Sequence, residues 1–147
     1  MAPSPNRSHQ WFSSKFIQLT NNAIDKTSFK CDCYTYSELD WIIDENSAVR
    51  PDCMIVCGNF TTDFLNFPPT LIVEISSGKT KLRDRNTRYN LYELEGVQYY
   101  LLADMEKKLV EVFELTEGKY VPKKNTIFQL TGECTIQLDV FNIWQLM

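Results

Sequence analysis

The sequence has no run of eighteen consecutive apolar residues, and its opening MAPSPNRSHQ lacks the charged-then-apolar pattern of a secretory signal. Repeats, linkers and low-complexity segments are also missing. We therefore expect a cytoplasmic protein without a membrane partner. With 147 residues and 44% hydrophobic content, the chain is long enough to bury one core, so we expect a single domain over residues 1–147.

An excess of positive charge is absent too. The formal net charge is −4, so the chain as a whole shows no electrostatic sign of nucleic-acid binding. Any surface for nucleic acid must therefore be local.

The chain has five cysteines, an odd number that cannot all pair in disulfides, and a chain of this size does not need disulfides for stability. Cys31 and Cys33 form a CxC motif, Cys53 and Cys57 a CxxxC motif, and zinc could use four such thiolates. However, Cys53 and Cys57 alternate with Ile55 along a predicted strand, which places both thiols on one apolar face. We prefer to interpret them as small hydrophobic residues.

Two helices are predicted. In the first, Ser8 can act as N-cap and Phe12, Phe16, Leu19 and Ala23 recur at helical spacing. The second runs from about Lys81 to Glu95 and ends at Gly96. The predicted strands are YTYSELDWII and AVRPDCMIVC in a hairpin, then TLIVEIS, VQYYLLAD, KKLVEVFEL and KYVPKK, with CTIQLDVFNIW closing the chain.

The segments AVRPDCMIVC and TLIVEIS, which follow each other along the chain, each carry one carboxylate, Asp52 and Glu74. If the strands are neighbours, the carboxylates converge on one sheet face, where they repel each other unless a hard divalent cation lies between them. Mg²⁺ is typically held by one or two carboxylates together with water and phosphate oxygens. The alternative is that each acid is solvated at a strand end or paired with Arg50, Arg83 or Arg85.

Pro51-Asp52, followed by an apolar strand ending in Glu74, resembles the P-D…(D/E)-x-K signature of the restriction-endonuclease-like nuclease superfamily. The run VEISSGKTKLRDRNTRYNLYELEGVQYYLLAD is similar to one branch, the Uma family of restriction endonucleases. The resemblance extends back through PSPNRSHQ and forward through the EVFEL…GKYV hairpin, which is nearly the whole chain. It implies an α/β (α+β) fold, with a mixed sheet flanked by helices.

The resemblance also implies roles for individual residues. Asp52 and Glu74 would be the ligands of Mg²⁺ or Mn²⁺, and the basic catalytic residue would be Arg88, where the family usually has lysine. The commoner superfamily arrangement places that lysine two residues after the second acid, where this chain has Ser76. Arg88 shares a helical stripe with Tyr92, so we expect it to face Glu74.

An arginine at this position changes the chemistry. It can stabilise developing negative charge, but it cannot lose its proton and so cannot act as a general base. Activity would then be reduced or absent. The alternative for Arg88 is a salt bridge with Asp84, four residues earlier.

The resemblance implies that a leading segment with a further acid, usual in the family, is lacking here. Glu38 or Asp40 could supply a third ligand instead. His9 is interpreted as a hydrogen-bonding residue near the site rather than a catalyst; Ser76 and Tyr92 are the other candidates for positions beside the ligands.

A basic segment follows Glu74 directly, where phosphates would have to dock. The alternative is a solvated helix face. The residues predicted to bind DNA here, besides Arg88, are Lys79, Lys81, Arg83 and Arg85.

Two functions follow from these residues. The first is a Mg²⁺-dependent endonuclease that hydrolyses phosphodiester bonds in DNA; the second is a catalytically inactive relative that serves as a nucleic-acid-binding or assembly module. The retained acids favour the first. We also expect a homodimer. The apolar run Tyr99–Leu102 is typical of a strand covered on both faces, and the EVFEL hairpin after it can offer an edge or face to a second copy.

Overall fold

The computed structural model describes residues 7–27, 31–76 and 85–147, together with the backbone of residues 82–84. Two α-helices, ten strands and a terminal 3-10 helix (Ile143–Leu146) are present in these segments. They are α1 (Arg7–Asp25), β1 (Cys33–Ser37), β2 (Trp41–Asp44), β3 (Ser47–Val49), β4 (Cys53–Cys57), β5 (Leu71–Ser76), α2 (Leu82–Glu95), β6 (Tyr99–Asp104), β7 (Leu109–Thr116), β8 (Lys119–Pro122), β9 (Ile127–Gln129) and β10 (Thr135–Gln137).

A six-stranded mixed sheet in the order β1-β4-β5-β6-β7-β8 forms the centre of the fold. Only β5 and β6 pair in parallel, and α2 provides the crossover that parallel strands require. The predicted mixed sheet with flanking helices is therefore confirmed. The homodimer predicted from the strands at its far edge stays a prediction.

The two predicted strands of the N-terminal hairpin each break in two. Glu38 has a φ of 53° and ends β1, while Pro51 lacks the N–H needed to continue a ladder and separates β3 from β4. The hairpin itself is correct, because β1 pairs with β4 and β2 pairs with β3. As a result, Asp52 stands just before β4, at the end of the central sheet.

Side chains alternate between two buried clusters, one on each face of the sheet. Phe12 and Phe16 of α1 pack with Ile55 and Val73 on one face. On the other face, Tyr92 of α2 packs with Met54, Ile72 and Tyr100 of the central sheet and with Trp41 of β2. Every residue of β6 from Tyr99 to Ala103 is buried, as expected for a strand covered on both faces.

Both helices lie close to their predicted positions. The α1 helix begins at Arg7, so Ser8 lies in its first turn, and the prediction of Ser8 as N-cap is wrong. The α2 helix ends as predicted at Gly96, which has a φ of 86°, and the Val97 N–H donates to the Tyr92 carbonyl at 3.0 Å.

The predicted closing strand is only partly correct. β10 pairs with β9 over three residues, and the chain then turns, with the Val140 N–H donating to the Leu138 carbonyl at 2.9 Å, before the 3-10 helix. The apolar residues of this segment, including Ile136 and Ile143, are buried in the same cluster as α1. They close the core on the α1 face rather than extend the sheet.

The expectation of free cysteines is wrong for four of the five. Cys33 and Cys57 are direct partners in the β1–β4 register and form a disulfide, and a second disulfide joins Cys31 to Cys134. Cys53 is free and buried, as its apolar neighbours predicted. No helix in the described segments is long and apolar enough for a membrane span; a cytoplasmic location stays a prediction.

We predict that Gly96→Ala lowers the free energy of unfolding by about 1–2 kcal/mol, the cost of a left-handed backbone for an L-residue. No atom lies within 4 Å of the added methyl, so conformation alone sets the effect. Urea denaturation measures it, with Gly132→Ala as the control. Gly132 also has open space around its Cα but no left-handed φ. Equal losses in both variants would contradict this account.

Candidate active site

The two predicted ligands lie on neighbouring strands. Cys53 pairs with Val73, so one further step of the antiparallel register brings Asp52 opposite Glu74. The Asp52 Oδ2 atom accepts a hydrogen bond from the Ile75 N–H at 2.6 Å. This contact holds the Asp52 carboxylate against the end of β5.

His9 of α1 contacts the other oxygen of the Asp52 carboxylate. Its Nε2 atom lies 3.0 Å from Asp52 Oδ1, and the two side chains are about one-fifth exposed, at 19% and 21%. The hydrogen bond to the Asp52 carboxylate raises the pKa of His9, and burial acts against this rise. The N-terminal turn of α1 is thereby fastened to the sheet at the candidate site.

Glu74 is held from α2. The Tyr92 hydroxyl donates to Glu74 Oε1 at 2.8 Å, and Arg88 Nη1 lies 3.1 Å from the same hydroxyl. Arg88 and Tyr92 are four residues apart on one face of the helix, as the sequence predicted. Arg88 thus lies at the site beside Tyr92, and its positive charge acts to lower the pKa of Glu74.

Burial raises the pKa of Glu74 to about 7, and repulsion from Asp52 adds to the effect. Arg88 and the Tyr92 hydrogen bond act in the opposite direction. The Glu74 carboxyl group therefore holds its proton to a higher pH than an exposed glutamate does. The two carboxyl groups offer a hard, oxygen-only donor set that suits a divalent cation such as Mg²⁺ or Mn²⁺, because the cation would replace the proton and offset the repulsion.

A cleft of about 330 Å³ opens beside Glu74. Arg85, Arg88, Ser76 and Tyr100 are among its lining residues. A second cleft of about 250 Å³ shares Ser76, Arg85 and Leu102 with the first. These two adjoining clefts, together called the groove, lie at the ends of β5 and β6, and of the two predicted ligands Glu74 lines the first of them.

The alternative ion pairs for the two acids are not formed by Arg50 or Arg85. Arg50 pairs with Asp40 at 2.7 Å on the exposed surface, and Arg85 pairs with Glu111 of β7. Asp40 is therefore engaged elsewhere and does not join the ligands. Glu38 comes closer, because its backbone N–H donates to the Asp52 carbonyl at 3.2 Å.

Part of the predicted basic segment cannot be placed. Lys79, Lys81 and the side chains of Arg83 and Asp84 lie outside the described residues. Of the residues predicted to bind DNA, Arg85 and Arg88 are placed, and both line the groove. The salt bridge between Arg88 and Asp84 is likewise left untested.

Sequence reasoning missed two contributors to the groove, Tyr100 and Leu102 of β6. The parallel register pairs Tyr100 with Ile72 and Leu102 with Glu74. The signal was present in the strand-helix-strand pattern, which predicts a parallel neighbour for β5.

The family model of Uma2, described as "Putative restriction endonuclease", matches residues 1–146. Among solved structures, the crystal structure of a "putative nuclease" from Anabaena variabilis superposes with a TM-score of 0.70. The match covers 96% of this chain and 84% of that chain at 14% sequence identity, a level at which the likeness shows the fold. No curated protein matches the sequence.

We predict that Glu74→Gln removes a pH dependence from the stability of the metal-free protein. The folded pKa of about 7 exceeds the ordinary value of 4.5, so the stabilisation by protonated Glu74 is complete below pH 4.5 and is lost as the pH rises through 7. The loss is at most about 3 kcal/mol, since each pKa unit corresponds to about 1.4 kcal/mol.

Denaturation at a series of pH values in the presence of a chelator measures this dependence. Glu106→Gln, in the exposed turn after β6, is the control and should follow the wild type. If Glu74→Gln and the wild type lose stability in parallel between pH 5 and 8, Glu74 does not titrate as described.

Proposed function

Since the chain belongs to the Uma2 family, whose description is "Putative restriction endonuclease", we propose that it is a metal-dependent DNA endonuclease in which Asp52 and Glu74 hold one Mg²⁺ or Mn²⁺ ion. The observation that carries this proposal is the electrostatic coupling of the two carboxylates across the end of the β4–β5 pair. Two acids that face each other repel, and a cation bound between them would offset this repulsion without a proton on Glu74.

Each ligand is oriented by the protein. His9 and the Ile75 N–H fix the Asp52 carboxylate, and Tyr92 fixes Glu74 through Oε1. Carboxylate oxygens have lone pairs beyond those used in these hydrogen bonds, so both groups can still ligate. When bound, the cation would polarise the phosphate and lower the pKa of a coordinated water.

Arg88 supplies fixed positive charge at the groove. Its guanidinium remains protonated, so it stabilises the negative charge that develops on the phosphate and does not accept a proton. Tyr92 holds Arg88 and Glu74 in one hydrogen-bonded series. The scissile phosphate would therefore lie in the groove between Glu74 and Arg88.

The segment from Lys79 to Arg88 would bind the flanking phosphates. Arg85 is suited to this role because it lines both parts of the groove. Its present partner, Glu111, lies at the exposed surface, so a bound phosphate could replace Glu111 without leaving a buried charge unpaired. Such contacts are independent of base sequence.

The second candidate function, a catalytically inactive nucleic-acid-binding module, is favoured by the arginine at position 88. If the reaction requires a basic side chain that can release its proton, Arg88 cannot provide it. The same groove would then bind DNA without cleaving it.

We predict slow nicking of plasmid DNA by the wild type with Mg²⁺ or Mn²⁺. Asp52→Ala and Glu74→Ala should abolish it, because each removes a ligand. Arg88→Ala should lose about 10²–10³-fold, as for the loss of one preorganised charge. Arg88→Lys should match or exceed the wild type, since an ammonium has a compact reach and a titratable proton.

Asp40→Ala is the matched control, because Asp40 is an exposed acid paired with Arg50 away from the groove. It should cleave like the wild type. If the wild type and Arg88→Lys are both inert while Mn²⁺ binds, catalysis is excluded and the binding module remains.

We further predict that metal-free protein binds DNA with an affinity that falls steeply with salt, because phosphate contacts release counterions. Arg85→Ala should weaken binding to all sequences. It should also reduce the slope of log affinity against log salt by about 1, the value for one lost phosphate contact. Lys15→Ala, on α1 across the sheet, should leave both unchanged. Fluorescence anisotropy with labelled duplexes measures these values; salt-independent binding would contradict a phosphate-contacting groove.

A further inference from the structure

Four cysteines from distant parts of the chain meet at one place. Cys31 and Cys33 lie at the start of β1, Cys57 ends β4, and Cys134 stands just before β10. The Sγ atoms of Cys31, Cys33 and Cys134 all lie within 4.8 Å of one another, and Cys57 is bonded to Cys33. Because Asp52 precedes β4 and Cys57 ends it, this cysteine cluster is a strand length away from Asp52.

Opening of the disulfides would leave the sulfurs within the range of one tetrahedral metal ion. A zinc–sulfur distance of about 2.3 Å corresponds to sulfur–sulfur separations of about 3.8 Å in a tetrahedron, and the sulfurs of Cys31, Cys33 and Cys134 lie within 4.8 Å of one another. The Cys57 sulfur lies outside this group of three and is bonded to Cys33, so its side chain would have to rotate after reduction. Four cysteine thiolates form a closed structural zinc site.

We propose that, when its two disulfides are reduced, the protein holds one Zn²⁺ with the thiolates of Cys31, Cys33, Cys57 and Cys134. Each disulfide takes up two electrons and two protons from a dithiol reductant and gives two thiols. Binding of one Zn²⁺ by the four thiols then releases four protons and leaves a site of net charge −2. Oxidation of the four thiolates by a disulfide reagent would reverse the process and release the ion.

The backbone holds these cysteines in place without the disulfides. Cys33 and Cys57 face each other in the β1–β4 ladder, where the Gly58 N–H also donates to the Asp32 carbonyl at 3.0 Å. The Leu130 N–H donates to the Cys134 carbonyl at 2.7 Å and closes the β9–β10 turn. The reduced chain therefore presents four thiols close together, and a bound ion would join the β9–β10 hairpin to the edge of the central sheet.

Access and burial are also suitable. Cys33 and Cys134 are buried, whereas Cys31 and Cys57 are half-buried, so an ion can enter from the side of the latter pair. Cys53 does not belong to the cluster, since its Sγ lies 3.1 Å from the Ser13 hydroxyl under α1. The proposed ligand set therefore differs from the four thiolates considered from the sequence, with Cys134 in place of Cys53.

The test uses the full chain, purified under a dithiol reductant without chelators. Elemental analysis should give one zinc per chain, and replacement by Co²⁺ should give the visible absorption of a tetrahedral ion with a thiolate charge-transfer band. Cys31→Ser and Cys134→Ser should lose zinc, while Cys53→Ala should retain it as the matched control. A thiol-oxidising reagent should release the ion from the wild type.

Folded, reduced protein with four reactive thiols and no zinc retained against a chromophoric chelator would overturn the proposal. So would a Co²⁺ spectrum without thiolate charge transfer, which decides the question on the wild type even if the serine variants misfold. A chain that unfolds on reduction and is not restored by Zn²⁺ would overturn it as well. These readouts do not depend on nuclease activity.

Discussion

Burial of Glu74 next to Asp52 is the constraint to which the candidate site is fitted. The β4–β5 register brings the two carboxylates to the same end of the sheet, and burial would disfavour two negative charges there. Hydrogen bonds and a positive charge from neighbouring groups stabilise the two carboxylates. His9 and the Ile75 N–H bind one carboxylate, while Tyr92 and the charge of Arg88 favour the ionised form of the other.

Tyr92 links this site to the core. Its ring packs on Trp41 and Tyr100, with centroid distances of 6.2 and 5.3 Å, and its hydroxyl emerges at Glu74. The position of α2 over the sheet therefore sets the position of the hydroxyl and of Arg88 one turn earlier. A change in the packing on this face would move the groups that hold Glu74 as well as destabilise the fold.

Local patterns in the sequence predicted the parts of the fold that depend on local rules. The helical spacing of Phe12 and Phe16 follows from short-range periodicity, and the end of α2 follows from Gly96. Strand alternation predicted one shared face for Asp52 and Glu74, whereas the pairing of their strands had to be assumed. The break of the predicted strand at Glu38 could not be predicted, because a left-handed φ at a residue other than glycine leaves no clear mark in a sequence.

Contacts between distant segments were also beyond prediction. His9 meets Asp52 only because α1 crosses the sheet, and Cys134 meets Cys31 only because the C-terminal hairpin folds back over β1. No spacing rule encodes either approach. The family resemblance placed His9 near the site, but nothing in the sequence predicted that Asp52 is its partner or that Cys134 pairs with Cys31.

The central claim is that one divalent cation binds between Asp52 and Glu74, and a crystal structure of the protein grown with Mn²⁺ tests it most directly. We expect a single anomalous peak with oxygen ligands from both carboxylates at about 2.0–2.6 Å, with Tyr92 still bound to Glu74. Crystals with saturating Mn²⁺ that show no peak at these residues, and with Asp52 and Glu74 in their hydrogen bonds to His9 and Tyr92 alone, would contradict the account.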